Sequence, residues 1–86
     1  MESVIVSVVI PAYNEEEHIE NTVASLLDQT MPRDAYEIVV VDNNSSDKTW
    51  DVISRLPVRA VKQPLQGTGL AKQAGMEAAS GIYILN

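Results

Sequence analysis

Tyr13 and Asn14 follow one apolar run of this 86-residue chain. Asp42, Asn43 and Asn44 follow a second, and Gln63, Gln66 and Thr68 follow a third. Lys72 comes a few residues later. These side chains have chemistry in common. A carboxylate at the end of an apolar run can accept the N–H of a nucleobase or the hydroxyls of a ribose. An aromatic ring can stack on a base, worth ~1–3 kcal/mol in nucleic-acid binding. A lysine beside a helix N-terminus can meet phosphate, as can the free N–H groups there. Each residue also has a plainer use. Asn14, Ser46 and Thr68 suit helix caps, and Asp42 suits a turn that bonds its own backbone. Lys72 by itself suits a solvated side chain. His18 stands among acids with no metal partner in the sequence and reads as surface. Trp50 reads as packing.

The elements that must position these residues alternate. Ser3 to Pro11 is a run of β-branched residues without polar interruption, the pattern of a strand buried on both faces of a parallel sheet. Asn14 to Gln29 reads as an amphipathic helix. Asn14 is the expected N-cap, Glu17 sits three residues on as in a capping box, and Glu15, Glu16 and Glu17 complement the helix dipole. Ile19, Val23, Leu26 and Leu27 fall on one face, and Pro32 lies beyond as a stop. Tyr36 to Asp42 is a second buried strand. The next helix starts with Ser46 as N-cap, shows Trp50, Ile53 and Leu56 on its apolar face, and ends at Pro57. Val58 to Gln63 is a short strand. The following helix carries small residues, Ala71, Ala74, Gly75 and Ala78, which allow close approach to a sheet. Gly81 ends that stretch, and Ile82 to Asn86 form a last strand.

The order β-α-β-α-β-α-β is that of a Rossmann-like α/β fold with a parallel sheet and right-handed crossovers. Ligands of such sheets bind beyond the carboxyl ends of the strands, at a topological switch point. The loops at that edge are PAYNE, DNNSSD and QPLQGTG.

Composition narrows the function. The length allows one domain and burial of roughly 60–65% of the unfolded surface. The apolar fraction of 45% excludes wholesale disorder. There is no cysteine, hence no disulfide framework or thiolate metal site. A net charge of −6 speaks against general nucleic-acid binding. The apolar start is shorter than the ~20 residues a membrane helix needs and lacks the marks of a signal peptide. Gly67-Thr68-Gly69 lacks the third glycine of a dinucleotide fingerprint and follows the third strand instead of the first. With one histidine, no Ser-His-Asp set is available.

Four blocks, VVIPAYNEE, SLLDQT, EIVVVDNNSSDKT and GLAKQAGMEAASGIYI, cover nearly the whole chain. In this order and spacing the sequence resembles the N-terminal part of family 2 glycosyltransferases, which have the GT-A fold. The resemblance implies a four-stranded parallel sheet of order 3-2-1-4, residues 1–86 as the nucleotide-binding half, and inverting transfer of a sugar from a UDP- or GDP-linked donor. By position, Pro11, Ala12 and Tyr13 would lie against base and ribose, and Glu15 near the ribose hydroxyls. Asp42 and Asn43 stand where the family has an acidic pair, one member of which recognises the base N–H. Asn43 could still accept through its amide oxygen. Lys72 stands where the family often has arginine near the diphosphate, keeping the charge without the bidentate fork. Gly67 and Gly69 match flexible glycines.

The resemblance also implies an Asp-x-Asp motif just beyond Asn86, holding Mg²⁺ or Mn²⁺, and an acceptor-binding half with the catalytic base further on. No catalytic residue is therefore expected within the 86 residues, which alone should be inactive. Expected partners are the nucleoside-diphosphate sugar and, through an exposed sheet edge, a second copy. A self-associating fragment and a generic Rossmann-like nucleotide binder are the alternatives. A cytoplasmic location is expected, with attachment to the cytoplasmic membrane face undecided.

Overall fold

A computed structural model describes residues 6–28, 30–81 and 83–85. Its elements are β1 (Val6–Ala12), α1 (Ile19–Leu27), a 3₁₀ turn (Arg33–Ala35), β2 (Tyr36–Asp42), α2 (Thr49–Ile53), β3 (Arg59–Lys62), α3 (Thr68–Ala78) and β4 (Tyr83–Leu85). The sheet order is β3-β2-β1-β4, and every pairing is parallel. Ser3, Val4, Ile5, Ile82 and Asn86, included in the expected first and last strands, lie outside the described residues.

The β-branched runs form the two central strands because both faces of the sheet are covered. Strand side chains alternate sides. Ile38 and Val40 of β2 face one way and pack with Ala12, Ile19, Val23 and Ile53 under α1 and α2. Val39 and Val41 face the other way and pack with Val9 and Ala71 under α3. The small-residue stripe of α3 thus meets the sheet, as its composition predicts.

Several expected boundaries differ: α2 ends at Ile53, short of Pro57, β3 covers only Arg59–Lys62, and four more lie beside the carboxyl edge of the sheet. Pro11 does not end β1, which runs on to Ala12 in register with Asp42. Asn14 is not an N-cap: it takes a left-handed φ of 53°, and α1 starts five residues later at Ile19 with Glu20 in its first turn. Ser46 does not cap α2, which starts at Thr49. Thr68 does not cap α3 but is its first residue, after Gly67. Asn14 and Ser46 are instead held by each other's loops. Asn14 Oδ1 accepts the Ser46 N–H at 2.9 Å, and Ser45 Oγ accepts the Asn14 N–H at 2.9 Å. Tertiary bonds across more than thirty residues have displaced local capping.

A polar knot ties α3 and β4 to the amino ends of the strands. The buried Ser7 hydroxyl donates to Glu37 at 2.7 Å and accepts the Gly81 N–H at 2.7 Å. The Ser80 N–H also donates to Glu37, and Arg59 lies 3.7 Å away. Burial would raise the Glu37 carboxyl. The Ser80 N–H, the Ser7 hydroxyl, the Arg59 charge and the Gly81 N–H together outweigh it and hold the group below its ordinary 4.5. A depressed carboxyl stabilises the fold above its unfolded value and loses that contribution as pH falls through the folded one. The stability gap between the wild type and Glu37→Gln should therefore be widest near neutrality and shrink below about pH 4.5. Urea unfolding at both ends of that range measures it; a gap that widens in acid would refute the assignment.

Candidate functional site

The carboxyl ends of β1 and β2 hold the candidate site. β2 and β3 lie on one side of β1 and β4 on the other, so the order of the sheet reverses at β1. Such reversals open crevices above the strand ends. A cleft of about 280 Å³ lies there, lined by Pro11, Ala12, Tyr13, Glu15, Asn43 and Thr68.

The cleft wall is built by two interlocked loops. The loop after β1 is fixed by Asn14, as above, and by Thr49 Oγ1, which accepts the Glu15 N–H at 2.8 Å. Thr49 is fully buried, and its hydroxyl donates to Asp47. Glu16 Oε1 accepts the Lys48 N–H at 3.1 Å, so this glutamate links the loops and does not serve the helix dipole. Desolvation would raise the Asp47 carboxyl, but hydrogen bonds from the Thr49 hydroxyl and N–H and from the Glu16 N–H hold it below its ordinary value. With its backbone held this way, Tyr13 presents its ring to solvent, 49% exposed. A half-exposed tyrosine beside a polar cleft is a ready stacking platform.

Five of the seven residues picked from the sequence therefore meet in one cleft: Pro11, Ala12, Tyr13, Glu15 and Asn43. Asp42 does not join them. It is buried and belongs to a second cleft of about 300 Å³ with Asn44, Ser45, Asp47, Trp50, Asp51, Lys62, Gln63 and Pro64. By strand alternation Asp42, the last residue of β2, shares the α2 side of Ile38 and Val40 and lines its cleft with Trp50 and Asp51. Asn43, just beyond the strand, lines the other cleft with Thr68 of α3. Asp42 Oδ1 accepts the Ser45 N–H at 3.2 Å, the plainer turn role that its residue type allows. Trp50 is half-buried against the core, with the Lys62 ammonium 4.6 Å from its ring centroid, a cation–π contact. Lys72 is half-buried on α3 and lines neither cleft.

Asn43 has a role that composition did not reveal. Its Nδ2 donates to the carbonyls of Leu65, at 2.8 Å, and Gln63, at 3.3 Å, while its Oδ1 accepts the Gly67 N–H at 2.9 Å. The amide oxygen expected to meet a ligand already holds the loop before α3. Thr49 and Ser45 were missed altogether; each acts on a partner more than thirty residues away, which leaves no periodic signal. Among the described residues no three His, Cys, Asp or Glu side chains converge to hold a metal ion.

The profile of Glycosyl transferase family 2 matches residues 7–86. The chain belongs to that family. It is 35% identical over 85 residues to Glycosyltransferase AglE of Haloferax volcanii, covering 92% of this chain and 28% of that protein. Its fold superposes on that of S. aureus TarS 1–349 in complex with UDP-GlcNAc with a TM-score of 0.86 at 28% identity, covering 95% of this chain and 25% of that one. It superposes equally, with a TM-score of 0.86 at 29% identity, on the mannosyltransferase PcManGT from Pyrobaculum calidifontis in complex with GDP-Man and Mn²⁺, covering 98% and 27%. The chain thus spans about a quarter of the length of these relatives.

Proposed function

We propose that this chain is the nucleotide-binding part of an inverting glycosyltransferase that draws its sugar from a UDP- or GDP-linked donor. The observation that carries the reading is the gathering of Pro11, Ala12, Tyr13, Glu15 and Asn43 with Thr68 in one cleft at the sheet's switch point. In this reading the Tyr13 ring stacks on the base over the Pro11–Ala12 floor, and the Glu15 carboxylate accepts ribose hydroxyls. The diphosphate runs towards the amino end of α3, where free N–H groups and the Lys72 charge favour it. Asp42 acts at one remove, by holding the turn after β2. Family membership and two solved neighbours carrying UDP-GlcNAc and GDP-Man support the donor class.

Sugar transfer needs residues other than these, so the 86 residues alone bind the nucleotide without turning it over. Ligands for Mg²⁺ or Mn²⁺ come from outside them too; the Mn²⁺ in the PcManGT complex supports metal use in the family. The donor diphosphate is the group such an ion would neutralise.

Titration of the ¹⁵N-labelled chain with UDP and GDP tests the core of the proposal. Signals of Tyr13, Glu15, Asn43 and Thr68 should move together. Tyr13→Ala should weaken binding roughly fivefold to tenfold, the loss of part of one stacking contact. Absence of shifts at about millimolar nucleotide, or shifts with NAD alone, would sink it.

A further inference from the structure

The loop from Gln63 to Gly67 joins β3 to α3 and sets where the amino end of α3 stands. It is short of regular structure, yet the backbone groups of Gln63, Leu65 and Gly67 are paired. Leu65 N–H donates to Gln63 Oε1 at 3.0 Å. The Gln63 and Leu65 carbonyls and the Gly67 N–H are all taken up by the single amide of Asn43. Two carbonyls need donors and one N–H needs an acceptor. An amide offers that set, a carboxylate offers only acceptors. Asn43 is buried, with 7% exposure, so its own amide, left unpaired, would lack water to replace the bonds, while Leu65 and Gly67 of the loop are exposed. Gly67, with φ 148°, makes the turn that follows, and Thr68 opens α3 and lines the cleft.

We infer that Asn43 is a positioning residue of the nucleotide cleft: its amide is the template on which the Gln63–Gly67 loop closes, and through that loop it places Thr68 and the amino end of α3. This rests on the reading of the cleft as a nucleotide site. It differs from the role that the family resemblance left open to either member of the Asp42–Asn43 pair, a direct reader of the base N–H. The two roles predict opposite results for a carboxylate. As a base reader, aspartate at position 43 would offer a charged acceptor and hold UDP at least as well as asparagine. As a template, it sets one carboxylate oxygen, in place of the donating Nδ2, against the Gln63 and Leu65 carbonyls and releases the loop.

Asn43→Asp in the 86-residue chain separates them. Amide hydrogen exchange of the free protein should speed up about tenfold or more at Gly67, while Val39 and Val40 in the core strand keep their protection. UDP affinity should fall roughly tenfold at neutral pH. It should recover in part as the introduced carboxyl is protonated, because the acid form regains one donor. Asn43→Ala gives the same exchange comparison should the aspartate variant fail to fold. Unchanged exchange at Gly67 in the variant, with UDP bound as tightly as before, overturns the inference. If the wild type binds neither UDP nor GDP, the nucleotide reading fails, and the Gly67 exchange still decides whether Asn43 sets the loop.

Discussion

Replacing Gly75 with valine should destabilise the chain at the upper end of the ~1–3 kcal/mol that overpacking a core costs. Helix propensity points the other way, since valine is a slightly better helix former than glycine. Packing decides the sign. A Cβ on Gly75 would lie 2.3 Å from Val9 Cγ1 and 3.1 Å from Val41 Cγ2. Both valines are fully buried in the two central strands, and a β-branched side chain has no second rotamer to retreat to without cost. The strain must therefore move α3 away from the sheet. Gly69→Ala is the control: nothing lies within 4 Å of its Cβ position, so the change should be neutral or gain up to about 1 kcal/mol. Urea midpoints measure both. A Gly75→Val midpoint equal to the wild type would mean that α3 does not rest on β1 and β2 as described. The variant also bears on function, because α3 carries Thr68 to the cleft. Its UDP affinity should fall with its stability, whereas that of Gly69→Ala should not fall for lack of stability.

The parts of the molecule legible in the sequence are those governed by local pattern. The runs around Val8–Ile10 and Ile38–Val41 can be read as strands because burial on both faces removes the polar alternation. The stripe Ala71, Ala74, Gly75 and Ala78 can be read as a close helix–sheet contact. The loops could not be read the same way. Asn14, with three glutamates behind it, carries a strong local capping signal, yet its side chain serves Ser46. Asp42 and Asn43 look like a pair in the sequence, and an adjacent pair invites a shared role. Asp42 ends β2 and Asn43 follows it, and the two residues line different clefts. Of the cleft residues, Tyr13, Asn43 and Thr68 were visible by residue type at the strand ends, whereas Pro11, Ala12 and Glu15 were indicated by the family resemblance alone. What each polar group does there depends on bonds between loops that are distant in the chain.

Ile53→Ala should destabilise the chain by about 2–5 kcal/mol, more than the Gly75 substitution. The five residues of α2 cannot sustain a helix alone, since isolated helices below ~12–15 residues are marginal in water. Packing must hold it, and its two fully buried side chains are Thr49 and Ile53. Ile53 enters the cluster of Ala12, Ile19, Val23, Tyr36, Ile38 and Val40 that joins both helices to the sheet. Truncation leaves a cavity there that rigid β-branched neighbours cannot fill. A domain of this length has a total stability of roughly 4–13 kcal/mol, so the loss is a large share of it. Ile53→Val, which keeps most of the volume, should cost only about 0.5–1.5 kcal/mol. The damage should also travel. Once α2 loosens, Thr49 no longer holds the Glu15 N–H, and the loop that presents Tyr13 loses an anchor. In a background stabilised enough to stay folded, Ile53→Ala should speed amide exchange at Glu15 before it does so in β2. A loss below about 1 kcal/mol, or exchange at Glu15 unchanged from wild type, would show that the β1–α1 loop keeps its shape without α2.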